Sequence, residues 1–183
     1  MPRLSPSGFS AATALDQVRA GASLQSVADG HSMEEIAAAV RDALTGLRLG
    51  ISAVDEVGLH RHAGLELWSI AEIAGHALAA DDAAHAIARS LAFGRVPTAA
   101  AFPYGMPGDP SATRETILYA VQAAAERLAT ARTLVAGGPS YPHEELGPLT
   151  ARAWILFSGV HLASHLHQAA AVMRARPAPT LKP

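Results

Sequence analysis

Helix-capping signals at two places in the chain constrain its fold more than any other sequence feature. Each is an S-x-x-E capping box, in which the two side chains satisfy free backbone N–H groups at a helix start. The two pairs are Ser32 with Glu35 and Ser69 with Glu72. Together with the glycines that follow, they predict one helix over residues 32–58 and a second over residues 69–93.

Two further helices are predicted in the second half of the chain. One begins near Asp109-Pro110, a cap followed by a first-turn proline, and ends before Gly137. The other runs from near Pro148 to Arg174. Four helices of roughly 22 to 27 residues predict an all-α fold, an antiparallel four-helix bundle. No alternating β-branched segment predicts a strand.

The segments outside these helices divide the chain further. Residues 1–31 contain a weak pattern of short helices and are expected to form a helical arm that packs on the bundle. The bundle is assigned residues 32–176, and residues 177–183 form a C-terminal tail. The proline-rich connection 94–108 has two open interpretations, a pocket wall or lid and a plain crossover strap.

Composition excludes several classes of protein. The chain has 183 residues, 41 of them alanine, no cysteine and a formal net charge of −2, and it has no basic stripe that would suit a nucleic acid. Disulfides, cysteine zinc sites and a cysteine nucleophile are therefore excluded. We expect no membrane span and no signal peptide, because apolar runs of the required length are missing. A cytoplasmic location is expected.

Three histidines fall within HLASHLHQ, residues 161–168, in an otherwise apolar helix. His165 lies about 40° around the helix from His161, so the two imidazoles can reach a single ion, whereas His167 points elsewhere. The same spacing also fits two unrelated polar residues. A catalytic metal site further needs a third ligand from another element.

His76, in the segment WSIAEIAGHALAAD, is one candidate for that third ligand because small residues beside it leave room for a cavity. The alternative is a core histidine that is bonded to a backbone carbonyl. His85 lies on the same predicted helix but faces the opposite side. The remaining histidines are expected to be exposed in loops or at helix ends: His31, His60, His62 and His143.

Two short motifs resemble the DinB/YfiT-like family. Residues 68–76 match the W-S-x-x-E-x-x-x-H opening of that family's second helix, and residues 161–168 match its H-x-x-x-H-x-x-Q signature on the last helix. The resemblance covers about residues 32–174. It implies a four-helix bundle that binds one divalent metal through His76, His161 and His165, and it suggests a homodimer.

The resemblance leaves the role of Gln168 open between orienting an imidazole or bound water and simple packing. Ser69 and Glu72 are explained by their capping box and are not expected to be catalytic. The maleylpyruvate isomerase branch of the family typically has a carboxylate at the position of His161. That specific isomerase activity is therefore not expected here.

The family includes metal-dependent transferases for low-molecular-weight thiols, so the leading hypothesis is a transferase that joins such a thiol to an electrophilic small-molecule substrate. Mycothiol, bacillithiol and glutathione are candidate thiols. Zinc, nickel and iron all suit three imidazoles, which leave the ion its full charge to activate a thiol. A metal-dependent hydrolase that uses bound water and a non-catalytic metal- or ligand-binding stress protein are the alternatives.

Overall fold

The computed structural model describes residues 8–62, 64, 67–98, 102–131 and 138–174. In chain order, the elements of these ranges are α1 (Ala11–Arg19), α2 (Leu24–Asp29), α3 (Met33–Ser52), α4 (Glu56–Leu59), α5 (Ile70–Ala92), α6 (Arg114–Ala131), β1 (Ser140–His143), β2 (Gly147–Thr150) and α7 (Ala151–Arg174). The described chain is therefore mostly helical, as the sequence predicts. Within these ranges no helix is both long and apolar enough to cross a lipid bilayer.

The four long helices contact one another in a closed order: α3 with α7, α7 with α5, α5 with α6, and α6 with α3. α7 is the most enclosed of them, because α1 and α2 also pack against it. Residues 153–160 of α7 are all buried. A helix that is apolar around its whole circumference is typical of a position at the centre of a fold.

The two capping boxes occur where the sequence predicts them. Ser32 and Ser69 are the N-caps of α3 and α5, and each accepts a hydrogen bond from the backbone N–H of the glutamate three residues later. In return, the Glu72 carboxylate accepts a hydrogen bond from the backbone N–H of Ser69 at 2.8 Å. The predicted helix over residues 69–93 is thus confirmed by α5.

The first long helix ends earlier than the predicted Gly58. α3 stops at Ser52, and Asp55 starts the short helix α4 by accepting a hydrogen bond from the N–H of Gly58 at 2.7 Å. An aspartate that takes a backbone N–H in this way begins a new turn rather than continuing the previous helix. Gly58 consequently lies inside α4.

The third long helix begins later than the predicted Asp109-Pro110. The Asp109 carboxylate accepts hydrogen bonds from the N–H and the hydroxyl of Ser111 at 2.8 and 2.7 Å, which makes a turn. The hydroxyl of Thr113 then accepts from the N–H of Thr116 at 3.2 Å and caps α6. The predicted end before Gly137 lies outside the described residues.

The structure adds a small two-stranded sheet that no sequence pattern predicted, and the last helix begins at Ala151, slightly after the predicted start near Pro148. β1 and β2 pair as an antiparallel hairpin in which Pro142 lies opposite Pro148. Proline has no backbone N–H, so this pairing position needs no donor from either residue. The hairpin is held to α7 by Trp154, whose Nε1–H donates to the carbonyl of Tyr141 at 3.2 Å.

The connection between α5 and α6 crosses α5 at a contact between two glycines. A Cβ atom built on Gly108 would lie 2.6 Å from the Cα of Gly75 and 2.8 Å from the backbone N of His76. The N–H of Gly108 donates to the carbonyl of Glu72 at 2.9 Å. This segment, residues 102–108, is called the strap below, and it fits against α5 only because both glycines lack a side chain.

Gly108→Ala is therefore expected to lower the free energy of unfolding by about 1–3 kcal/mol, because the atoms it meets are backbone atoms that cannot move aside. Urea denaturation measures the change. Gly50→Ala in α3 is the matched control, since a Cβ there meets nothing within 4 Å. It should raise the free energy of unfolding by about 0.5–1 kcal/mol. Equal stability of the Gly108 variant and the wild type would contradict the close fit of the strap.

Candidate metal centre

Three histidines from two helices meet at one point in the structure. His76 comes from α5, and His161 and His165 come from successive turns of α7. Each offers one ring nitrogen, and these three atoms all lie within 4.8 Å of one another. Among the described residues, this is the one group of three or more histidine, aspartate and glutamate side chains close enough to share an ion.

The spacing of the nitrogens suits a metal ion. Nε2 of His161 and Nε2 of His165 are 3.2 Å apart. Two nitrogens that each lie about 2.0–2.1 Å from a tetrahedral ion are separated by about 3.4 Å. The two imidazoles of α7 are therefore already near the separation that coordination requires, and the donor set fits zinc, nickel or iron.

Hydrogen bonds on the far side of two rings set their orientation. Nδ1 of His76 lies 2.7 Å from the carbonyl oxygen of Met106 on the strap. Because a carbonyl can only accept, Nδ1 of His76 carries the proton and Nε2 keeps its lone pair. Nδ1 of His165 lies 2.8 Å from the side-chain Oε1 of Gln168, with the same consequence. Partners of this kind fix the tautomer of metal-binding histidines.

The two interpretations of His76 are thus compatible. Its ring is bonded to a backbone carbonyl, as the core-histidine alternative requires, yet Nε2 still faces the other two histidines. Gln168 contacts the imidazole of His165, which favours the orienting role over simple packing among the two that the sequence left open.

Burial lowers the pKa of all three rings and so favours their neutral form. It is the main cause that lowers the pKa of His161 to about 3, and the neighbouring imidazoles of His165 and His76 lower that pKa further. Burial also lowers the pKa values of His76 and His165, partly offset by their hydrogen bonds to Met106 and Gln168. A metal binds only the deprotonated imidazole, so near neutral pH the rings do not need to lose a proton first.

Trp68 closes one side of the cluster. Its ring centre lies 4.9 Å from that of His76 and 6.4 Å from that of His165, nearly parallel to the latter. The sequence analysis did not assign Trp68 a place in the site. Its position at the start of the W-S-x-x-E-x-x-x-H motif was the signal that could have identified it.

A cavity of about 190 Å³ opens beside His76 and His161. Its other walls include Phe102 and Tyr104 of the strap, His143 of β1 and Phe157 of α7. Of the two interpretations left open for the 94–108 connection, the position of Phe102 and Tyr104 agrees with a pocket wall. Residues 99–101 lie outside the described residues.

The expectation that His143 is exposed is wrong. It is only 5% exposed, because the hairpin turns its ring into an aromatic cluster, 4.6 Å from the ring centre of Phe157. His31 is half-buried and stacks on Phe9 at 3.6 Å, so it is not a freely exposed residue either. The exposed positions of His60, His62 and His167 agree with the sequence analysis.

His85 lies away from the metal cluster, as its position on the helix predicts. It is buried, and its Nδ1–H donates to the carbonyl of Asp81 at 2.9 Å. Asp81 in turn pairs with Arg127 of α6 at 3.1 Å. This ion pair between the buried Asp81 and the half-buried Arg127 ties α5 to α6 and does not extend to the three-histidine cluster.

Fold and site together define the class: a mostly helical protein in which three histidines from two helices could hold a metal ion. The chain belongs to the DinB superfamily, whose family model matches residues 14–169. The match begins within α1 and thus includes part of the arm that the motif resemblance left out. Comparison with curated proteins and with solved structures found no match.

Protein purified without chelator is expected to contain about one divalent ion per chain, which mass spectrometry of the metals measures. His76→Ala, His161→Ala and His165→Ala should each lose most of this metal, because two imidazoles are too few for a stable site. His167→Ala removes an exposed histidine of the same helix and should keep it. Full retention of metal in His76→Ala would show that α5 does not contribute a ligand.

Gln168→Ala is expected to weaken zinc binding by about 10- to 100-fold, because His165 loses the partner that fixes its tautomer and ring orientation. Competition with a chromogenic chelator measures the affinity. Gln168→Glu keeps an acceptor oxygen at the same reach and should bind zinc at least as tightly as the wild type. If both variants match the wild type, Gln168 serves packing alone.

Proposed function

We propose that the chain is a metal-dependent enzyme that joins a low-molecular-weight thiol to an electrophilic small molecule. His76, His161 and His165 would hold one divalent ion. When bound, such an ion supplies Lewis acidity, which lowers the pKa of a coordinated thiol or water molecule. The observation that carries the proposal is the convergence of three neutral imidazoles beside a cavity.

The side chains around the cluster support chemistry that needs a fixed, partly enclosed site. Met106 and Gln168 hold the rings of His76 and His165 in one orientation. Trp68 covers one side of the cluster, and Phe157 packs on His161 with ring centres 5.2 Å apart. Exclusion of water strengthens every electrostatic interaction inside such a site.

The absence of cysteine from the sequence supports an external thiol. The chain cannot supply a sulfur nucleophile of its own, so a sulfur transfer at this site requires a separate small molecule. Mycothiol, bacillithiol and glutathione are of the right class. Membership of the DinB superfamily agrees with this proposal, since the resemblance in the motifs implies thiol-dependent transferases among its members.

The proposed architecture is an antiparallel four-helix bundle of α3, α5, α6 and α7 within residues 32–176. The described helices α1 and α2 of the arm, predicted over residues 1–31, pack on it, whereas the predicted tail, residues 177–183, lies outside the described residues. The closed order of contacts among the four helices supports this arrangement, as does the packing of α1 and α2 on α7. We also propose that the protein works as a cytoplasmic homodimer, in keeping with the family resemblance.

The proposal is tested with cobalt-substituted protein. Addition of mycothiol, bacillithiol or glutathione is expected to produce a sulfur-to-cobalt charge-transfer band. Conjugation of 1-chloro-2,4-dinitrobenzene should then require both thiol and metal. His161→Ala should lose the band and the conjugation together, because it loses the ion, whereas His167→Ala should keep both.

A different result would identify one of the alternatives. Hydrolysis of 4-nitrophenyl acetate that needs metal but no thiol, with no new band on thiol addition, would favour a hydrolase that uses bound water. Metal binding with neither conjugation nor hydrolysis would favour a non-catalytic binding protein.

A further inference from the structure

His143 is a buried polar side chain that the three-histidine cluster does not use. It lies in β1, lines the same cavity as His76 and His161, and is only 5% exposed. Its ring is surrounded by aromatic side chains, with ring centres 4.6 Å from Phe157 and 5.5 Å from Tyr104. A phenylalanine would pack in such a cluster without the cost of burying an imidazole.

The hydrogen bond of the hairpin turn fixes where the proton of His143 lies. The backbone N–H of Glu145 donates to Nδ1 of His143 at 3.1 Å. Nδ1 must therefore hold a lone pair, and the neutral ring carries its proton on Nε2. No partner for Nε2 of His143 occurs among the described residues, whereas the Nδ1 atoms of His76 and His165 are paired. Because His143 lines the cavity and its Nδ1 is taken by the turn, its Nε2–H is the ring donor that remains for a ligand.

The surroundings of this donor limit what it can bind. Phe102 and Phe157 give the cavity flat apolar walls. Glu145 also lines the cavity, and its negative charge disfavours an anionic group beside His143. An uncharged acceptor oxygen fits both the donor and the charge, and a volume of about 190 Å³ limits the molecule to a small one.

We propose that His143 is a substrate-binding residue whose Nε2–H donates a hydrogen bond to a carbonyl oxygen of a small, flat, uncharged substrate. The substrate lies against Phe102 and Phe157, next to His76 and His161. This inference deepens the proposed function, on which it rests in taking the cavity as the substrate chamber. It assigns the site to carbonyl compounds and gives the hairpin the role of holding their oxygen.

The test compares three probes of the same shape in metal-free and zinc-loaded protein. Acetophenone has the carbonyl oxygen, ethylbenzene lacks it, and benzoate carries a negative charge. Calorimetry should show that acetophenone binds metal-free protein about 3- to 10-fold more tightly than ethylbenzene, the gain expected from one hydrogen bond. Benzoate should bind metal-free protein more weakly than acetophenone because of Glu145.

Two variants isolate the donor. His143→Phe keeps an aromatic ring but no N–H, so acetophenone and ethylbenzene should bind it equally. His143→Gln places an amide N–H at a similar reach and should keep the preference for acetophenone. Circular dichroism checks that both variants fold. A hydrogen bond lowers the carbonyl stretching frequency, so the frequency of labelled acetophenone should fall when it binds the wild type. If His143→Phe fails to fold, this infrared measurement on the wild type tests the proposal instead.

Several outcomes would overturn the inference: no binding of acetophenone, equal binding of acetophenone and ethylbenzene to the wild type, or an unshifted carbonyl stretch. A preference that persists in His143→Phe would assign the donor to another residue. These outcomes are separate from the cobalt experiment. A protein without thiol chemistry can still bind acetophenone more tightly than ethylbenzene, and a thiol transferase can still bind the two equally.

Discussion

The contact between Gly75 and Gly108 is the constraint on which the geometry of the site depends. It brings the strap within backbone distance of α5, where the N–H of Gly108 bonds to the carbonyl of Glu72. Two residues earlier, the carbonyl of Met106 reaches the ring of His76. A bulkier residue at either glycine would lift the strap from the helix. The tautomer of His76 and one wall of the cavity are therefore consequences of two missing side chains.

α7 supplies the second constraint, because its enclosed first half fixes the position of the helix that carries His161 and His165. Trp154 and Leu156 are fully buried, and α1, α2, α3 and α5 all pack against this helix. Side chains that are packed on all sides hold their rotamers, and a metal site needs ligands that are held to within a fraction of an ångström. The alanine-rich composition lets the helices approach closely enough for such packing.

Sequence reasoning succeeded where local chemistry decides the structure. The capping boxes at Ser32 and Ser69 depend on side chains three residues apart, and the two histidines of α7 share a face because of helical periodicity. It failed where distant segments meet. The local sequence of the hairpin does not predict that strand pairing places His143 among the aromatic side chains of the cavity. In the same way, the close fit of Gly108 depends on Gly75, which is distant in the sequence. Short motifs thus predicted the candidate ligands, while the aromatic lining of the neighbouring cavity could be seen only in the fold.

The three histidines of the cluster lower the stability of the metal-free protein. Nδ1 of His161 is buried and has no hydrogen-bond partner among the described residues, and the ring sits among aromatic side chains. A buried polar atom left without a partner costs roughly 1–3 kcal/mol, and apolar side chains would pack there without that penalty. The arrangement is therefore better explained by what it binds than by what it contributes to folding. An ion that binds only the folded chain would offset this cost by mass action, which couples the stability of the protein to occupancy of the cluster.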